Sequence, residues 1–190
     1  MLTRLAGLCG LVTPVFTLTL IFISIALSPW FSWHDNALSD MGVSATANPF
    51  NAALFIGSLL YFIFAIGFLR WYGLQSRLAK IAAVALMAGG IGLLSIGIFT
   101  ENAGRIHYYV SALYFLATPL AYLLFGVDML RHGKSLSGSL TIAAGIVAVF
   151  MISAVPHKRI AVPEILAALT MGMWTFSMGM KLLIEPNSKP

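Results

Sequence analysis

Three of the four histidines in this chain, His34, His107 and His157, fall in the same alternate connections as four of its six carboxylates, Asp35, Asp40, Glu101 and Glu164. Imidazole and carboxylate groups gathered in one place can hold a metal. Zinc takes four ligands and leaves one position to water when the site is catalytic. His34, His107 and His157 would be its ligands, with Asp40 or Glu101 as fourth ligand or as general base. Ser39, Asp40 and Glu101 are then the catalytic candidates, and the chemistry would be zinc-dependent hydrolysis. The chain has no His-x-x-x-His pair to anchor such a site. The alternative is binding without chemistry, in which the histidines donate to loop carbonyls or meet lipid headgroups. Arg105, Lys158 and Arg159 would then reach phosphate, while Asp40 and Glu101 pair with them and Asn36, Ser39, His107 and Glu164 complete the polar surface. A b-type haem would need two histidines at like depth on facing helices, and only His107 falls plainly on a predicted helix.

Membrane helices must position these groups. Hydrophobic residues make up 59% of the 190, charged residues 9%, and mean hydropathy is +0.93, where a soluble domain carries about 25% charge. About 20 apolar residues span the hydrocarbon core as a helix, the form that satisfies every backbone polar group within the segment. Six such stretches are predicted, at Leu8–Leu27, Phe50–Leu69, Ile81–Thr100, Ile106–Val127, Leu136–Val155 and Pro163–Ile184. The expectation is an all-α, six-span compact bundle forming one domain over residues 1–190. The first stretch is too long for the apolar core of a signal peptide and reads as a retained span.

Orientation follows from Lys and Arg, which resist translocation. With the N-terminus inside, Arg4, Arg70, Arg77, Lys80, Arg131, Lys134, Lys181 and Lys189 are cytoplasmic, and only Arg105, Lys158 and Arg159 are outside. Both termini are therefore expected in the cytoplasm of a cell-membrane protein, and the His- and carboxylate-bearing loops outside. The net charge of +5 is a topology signal and implies no nucleic-acid partner. Spans without charges away from their ends, and without an inverted repeat, argue against a transporter or channel. No nucleophile elbow, phosphate-binding glycine loop or dinucleotide fingerprint is present. Cys9 is the only cysteine, so no intrachain disulfide can form.

Small residues let helices approach closely in lipid. Span three carries Ala85, Gly89, Gly92 and Gly97, and span six Ala168, Gly172, Thr175 and Gly179, both read as intramolecular seams. Met171, Met173, Trp174, Met178 and Met180 lie on the other side of span six. They are read as facing lipid, a membrane-protein partner or a second copy. Asn48–Pro49 reads as a cap and first turn, and Glu164 as a carboxylate at the positive end of helix six. Trp71 and Tyr72 are placed in an aromatic belt with Trp30, Phe31 and Trp33. Leu38 and Met41, mixed with Asn36, Ser39 and Asp40, predict that this loop folds back onto the bundle, bringing Asp40, Glu101 and His107 together with Arg105 as countercharge.

The segment Asn36-Ala-Leu-Ser39-Asp40-Met-Gly42 resembles the N-x-x-Ser-Asp/Glu-x-Gly signature of the six-span domain-of-unknown-function 998 family. Gly97-Ile-Phe99-Thr-Glu101 followed by His107 is similar to that family's Gly-x-Phe-then-acid motif and downstream histidine. Pro163-Glu164 stands where the family carries a Glu-Arg pair, without the arginine. This resemblance implies the six-helix fold and no settled activity. Ser39, Asp40 and the three outer histidines also resemble, more distantly, the Ser, Asp and three-His zinc set of the seven-span alkaline ceramidase and adiponectin receptor superfamily, which implies a zinc-dependent intramembrane lipid hydrolase.

Overall fold

In the computed structural model, which describes residues 1–153 and 161–186, all six stretches are helices, and all but the fifth are longer than the apolar runs that predict them. They are α1 (Leu2–Ala26), α2 (Ala47–Tyr72), α3 (Arg77–Ile98), α4 (Arg105–Arg131), α5 (Ser135–Ser153) and α6 (Ala161–Ile184). Each is long and apolar enough to cross a membrane. Each packs on its neighbours in chain order and α6 returns to α1, closing a circle of six. Both chain ends lie at one face of the circle. The opposite face, called the loop face here, carries two 3₁₀ turns, Leu38–Val43 and Glu101–Ala103.

Burial of apolar surface does not drive helices together in lipid, so close backbone approach has to. At Gly179 a Cβ would lie 2.8 Å from the Gly7 carbonyl oxygen and 3.0 Å from the Gly10 Cα, which fixes α6 against α1. At Gly92 it would lie 2.7 Å from the Tyr114 backbone nitrogen, which fixes α3 against α4. Both small-residue stripes are thus spent within the molecule.

Two clusters fill the circle. Toward the chain termini Phe64, Phe68, Phe125, Tyr122 and Trp174 interlock, with Tyr122 stacked on Trp174 at 4.0 Å between ring centroids. At the loop face Ile21, Leu38, Met41, Phe50, Leu54, Leu93, Ile96 and Ile165 form the second cluster. Buried Asp128 closes the terminal end of the circle. It accepts the Tyr72 hydroxyl at 2.6 Å and the Ser76 hydroxyl, joining α2, α3 and α4.

Three local expectations are corrected. Met171, Trp174 and Met178 are core residues, and only Met173 and Met180 remain exposed, because α6 gives its small face to α1 and its bulky face to the interior. Trp71 and Tyr72 are buried. Their polar atoms reach the Glu185 carbonyl and Asp128 instead of an interface. Helix α2 starts a turn early, with Thr46 as the N-cap residue, and Pro49 sits in the first turn, where a missing N–H costs nothing.

Candidate functional site

Between the two clusters lies a cavity of about 100 Å³, counted as the space open to the centre of a water molecule, where one water needs only about 10–15 Å³. Its wall is assembled from α1, α2, α3, α4, α6 and the first 3₁₀ turn. Ser39, His107, Ser111 and Glu164 line its mouth, Ile21, Leu54, Leu93 and Ile96 its waist, and Tyr61, Thr118, Tyr122 and Thr175 its base. Depth follows from helix rise. Thr118 lies eleven residues below His107 on α4, and Thr175 eleven below Glu164 on α6, about 16 Å at 1.5 Å per residue. The Tyr122–Trp174 stack and the phenylalanines beneath it seal the base. The cavity is blind.

The loop Asn36–Gly42 covers the mouth, as its mixed composition predicts. Leu38, Met41 and Gly42 are buried. Four long-range or turn-closing bonds hold it. The Leu38 N–H donates to Glu164 Oε2 at 2.8 Å, and the Ala161 N–H to the Asn36 carbonyl at 3.1 Å. The Asn51 amide donates to the Gly42 carbonyl at 2.9 Å, and the Asn36 amide to Asp40 Oδ2 at 2.8 Å. Glu164 stands in the first turn of α6, as expected, and ties the 3₁₀ turn to that helix.

Asp40 and Glu101 meet where the two 3₁₀ turns touch, their carboxyls hydrogen-bonded to each other. Two carboxyls bond only if one holds a proton. Glu101 is an exposed residue, yet its carboxyl is partly desolvated. That desolvation, then the bond and charge of Asp40, push its pKa up to about 7.

Of the expected trio of Asp40, Glu101 and His107, the two carboxyls meet, while the hydrogen bonds of His107 go to other groups. His107 Nδ1 lies 2.8 Å from the Phe99 carbonyl, and Nε2 lies 3.4 Å from the Ser111 hydroxyl. A carbonyl only accepts, so Nδ1 carries the hydrogen and the neutral ring offers a lone pair at Nε2 to the cavity mouth. Arg105 is not the countercharge. Among the described residues the one ion pair is His132 with Asp128 at 3.6 Å, and Arg105 is exposed; the Asn36 amide and the Ala37 N–H at 3.1 Å answer Asp40 instead.

His34 is exposed in its loop, where its N–H meets the Ser32 hydroxyl. Among the described residues no three His, Cys, Asp or Glu side chains are placed to hold a metal. No two histidines face each other across helices there either: His107 and His132 mark opposite ends of α4. His157, Lys158 and Arg159 lie outside the described residues.

With the site in view, the comparisons can be placed on it. A family model described as "Protein of unknown function (DUF998)" matches residues 11–181. The chain belongs to the DUF998 family. That match covers all six helices apart from the outer turns of α1 and α6, so this DUF998 member is a multi-pass membrane protein. No curated protein and no solved structure matches it.

Sequence reasoning missed the cavity lining, although α4 carries a legible signal for it. His107, Ser111, Tyr114, Thr118 and Tyr122 follow one another at steps of four, three, four and four. That is one face of a helix, and all five line the cavity.

Proposed function

We propose that this DUF998 protein binds a membrane amphiphile in the blind cavity, with the ligand's polar end at the loop face and its chain between the helices. What carries the reading is the polarity profile of the wall: polar mouth, apolar waist, sealed base. Pockets that are mostly apolar with a few convergent polar groups are the usual form of small-molecule sites. A sealed base argues for holding a molecule rather than conducting one.

The mouth also favours one class of head group. Glu164 Oε2 is taken by Leu38, leaving Oε1 at a mouth that His107 and Ser39 also line, with the Asp40–Glu101 pair near enough for its charge to act on Glu164. Among the described residues no Lys or Arg lines the cavity, so a head group bearing hydroxyl or amine donors fits better than a phosphate. In this reading the loop face is outside the cell membrane and both termini are cytoplasmic, which the eight-to-three distribution of Lys and Arg supports.

The test is photolabelling of detergent-purified protein with a diazirine-bearing long-chain alcohol. Label on cavity residues of α2 and α4, removed by excess hexadecanol, is the expected result. Label confined to lipid-facing residues such as Val84 and Met173, both 70% exposed, and not displaced by hexadecanol would sink the proposal.

A further inference from the structure

Two hydroxyls at the base of the cavity have no hydrogen-bond partner among the described protein groups: Tyr61 Oη and Thr118 Oγ1. Their residues are 4% and 1% exposed, and both line the cavity. They are exceptions within their own kind. Thr13, Ser24, Thr170, Thr175 and Ser177 each donate to the carbonyl four residues back, the usual resting place of a helical hydroxyl. Thr118 does not. Tyr72 and Tyr122 are also deep in the bundle, and they donate to Asp128 and to the Met171 carbonyl. Tyr61 does not. Leaving a buried donor unbonded costs about 1–3 kcal/mol, and here the two residues that carry such donors both belong to the lining of one apolar cavity.

We infer that the molecule held in this cavity is a long-chain lipid carrying an oxygen acceptor, such as a carbonyl, on its chain about 16 Å below its head group, where the Tyr61 and Thr118 hydroxyls donate to it. A plain alkyl chain would leave both donors unsatisfied. A second charged group is disfavoured, because no ionisable side chain other than tyrosine lines the cavity below His107 and Glu164 and an unpaired charge there would be expensive. A neutral acceptor meets both conditions. This inference rests on the cavity being the binding site, and it deepens that reading by assigning the ligand a second polar point.

Two probes separate the possibilities: hexadecanol, and hexadecanol with a keto oxygen near its methyl end. Their affinities for detergent-purified protein are read by competition against the diazirine alcohol. One hydrogen bond of ordinary strength is worth about tenfold in affinity, so the keto alcohol should bind about tenfold more tightly than hexadecanol. Tyr61→Phe and Thr118→Val, both close in shape to the native residues, should each remove most of that preference without weakening hexadecanol, and Thr118→Ser should keep it. Equal binding of the two probes to the wild-type protein overturns the inference while leaving the cavity as a lipid site. Equal weakening of both probes by the variants overturns it too, since the hydroxyls would then only support the fold. Failure of both probes to compete at all overturns the cavity reading itself and the inference with it.

Discussion

Asp128 offers a quantitative test of how the helix circle is held at its terminal end. Its carboxylate is 2% exposed and receives two hydroxyls, from Tyr72 at the end of α2 and from Ser76, the N-cap of α3. Ser76 Oγ in turn accepts the Ala79 N–H at 2.8 Å. Hydrogen bonds between uncharged side chains in membrane proteins average only about 0.6 kcal/mol, but a charged acceptor raises the figure to about 1.5–3 kcal/mol. Tyr72→Phe should therefore cost about 2 kcal/mol. Ser76→Ala should cost about as much, combining the lost donor with about 1 kcal/mol for the lost cap. Asp128→Ala, which strands two hydroxyls, should cost most, about 3 kcal/mol. His132 is largely exposed on its side-chain face, so His132→Ala should cost less than about 0.5 kcal/mol. Cys9 supplies the assay. It is the chain's only cysteine and is buried, so a thiol-reactive dye reports unfolding of detergent-solubilised protein directly. If Tyr72→Phe costs under about 0.5 kcal/mol, or if Tyr72→Phe and Asp128→Ala simply add, the three residues do not act as one bonded unit and the reasoning fails.

Three further outcomes are expected. The Glu101 carboxyl titrates near 7 in the folded protein against an ordinary 4.5, so the folded state holds its proton more firmly. The stabilisation is complete below about pH 4.5 and is lost as pH rises to about 7. Protection factors of the Leu38–Val43 amides, with the intrinsic pH dependence of exchange divided out, should accordingly fall over that window, and Glu101→Gln should flatten the fall. Gly92→Ala places a methyl 2.7 Å from the Tyr114 backbone nitrogen, where no side chain can yield. It should lower stability by about 1–3 kcal/mol in the same thiol assay, whereas Gly133→Ala, with nothing near its Cβ position, should show only the smaller cost of its positive φ. Reporter fusions at Gln75 and Asn102 should place the first in the cytoplasm and the second outside. Gln75 outside would reverse the proposed orientation.

The helices were legible because a bilayer leaves one way to satisfy twenty consecutive peptide groups, and each apolar run marks where its helix lies. Their neighbours were legible in part. The stripe of Ala85, Gly89, Gly92 and Gly97 marks a seam, and the glycine closest to the partner backbone, Gly92, identifies α4 only once coordinates exist. The two faces of α6 show where such reading stops. Met171, Trp174 and Met178 look identical in sequence to Met173 and Met180, yet a turn of about 100° per residue decides which point into the circle. The methionine-rich character of α6 therefore says little about a partner.

The site divides along the same line between local and long-range information. The fold-back of Asn36–Gly42 could be read from Leu38 and Met41, since apolar residues in a polar loop need somewhere to go. Its anchor, the bond from Leu38 to Glu164, joins residues 126 apart in sequence, and no local pattern announces it. Charged residues drew attention to Asp40, Glu101 and Arg105, but the last of these stays exposed, and the first two satisfy each other beside the mouth. The neutral groups carry the cavity. His107, Ser111, Tyr114, Thr118 and Tyr122 keep one helical phase through the length of α4. A hydroxyl is rarely conspicuous in an apolar span, because it can bond its own helix. Five polar residues in phase have a different meaning: that face must meet something other than lipid.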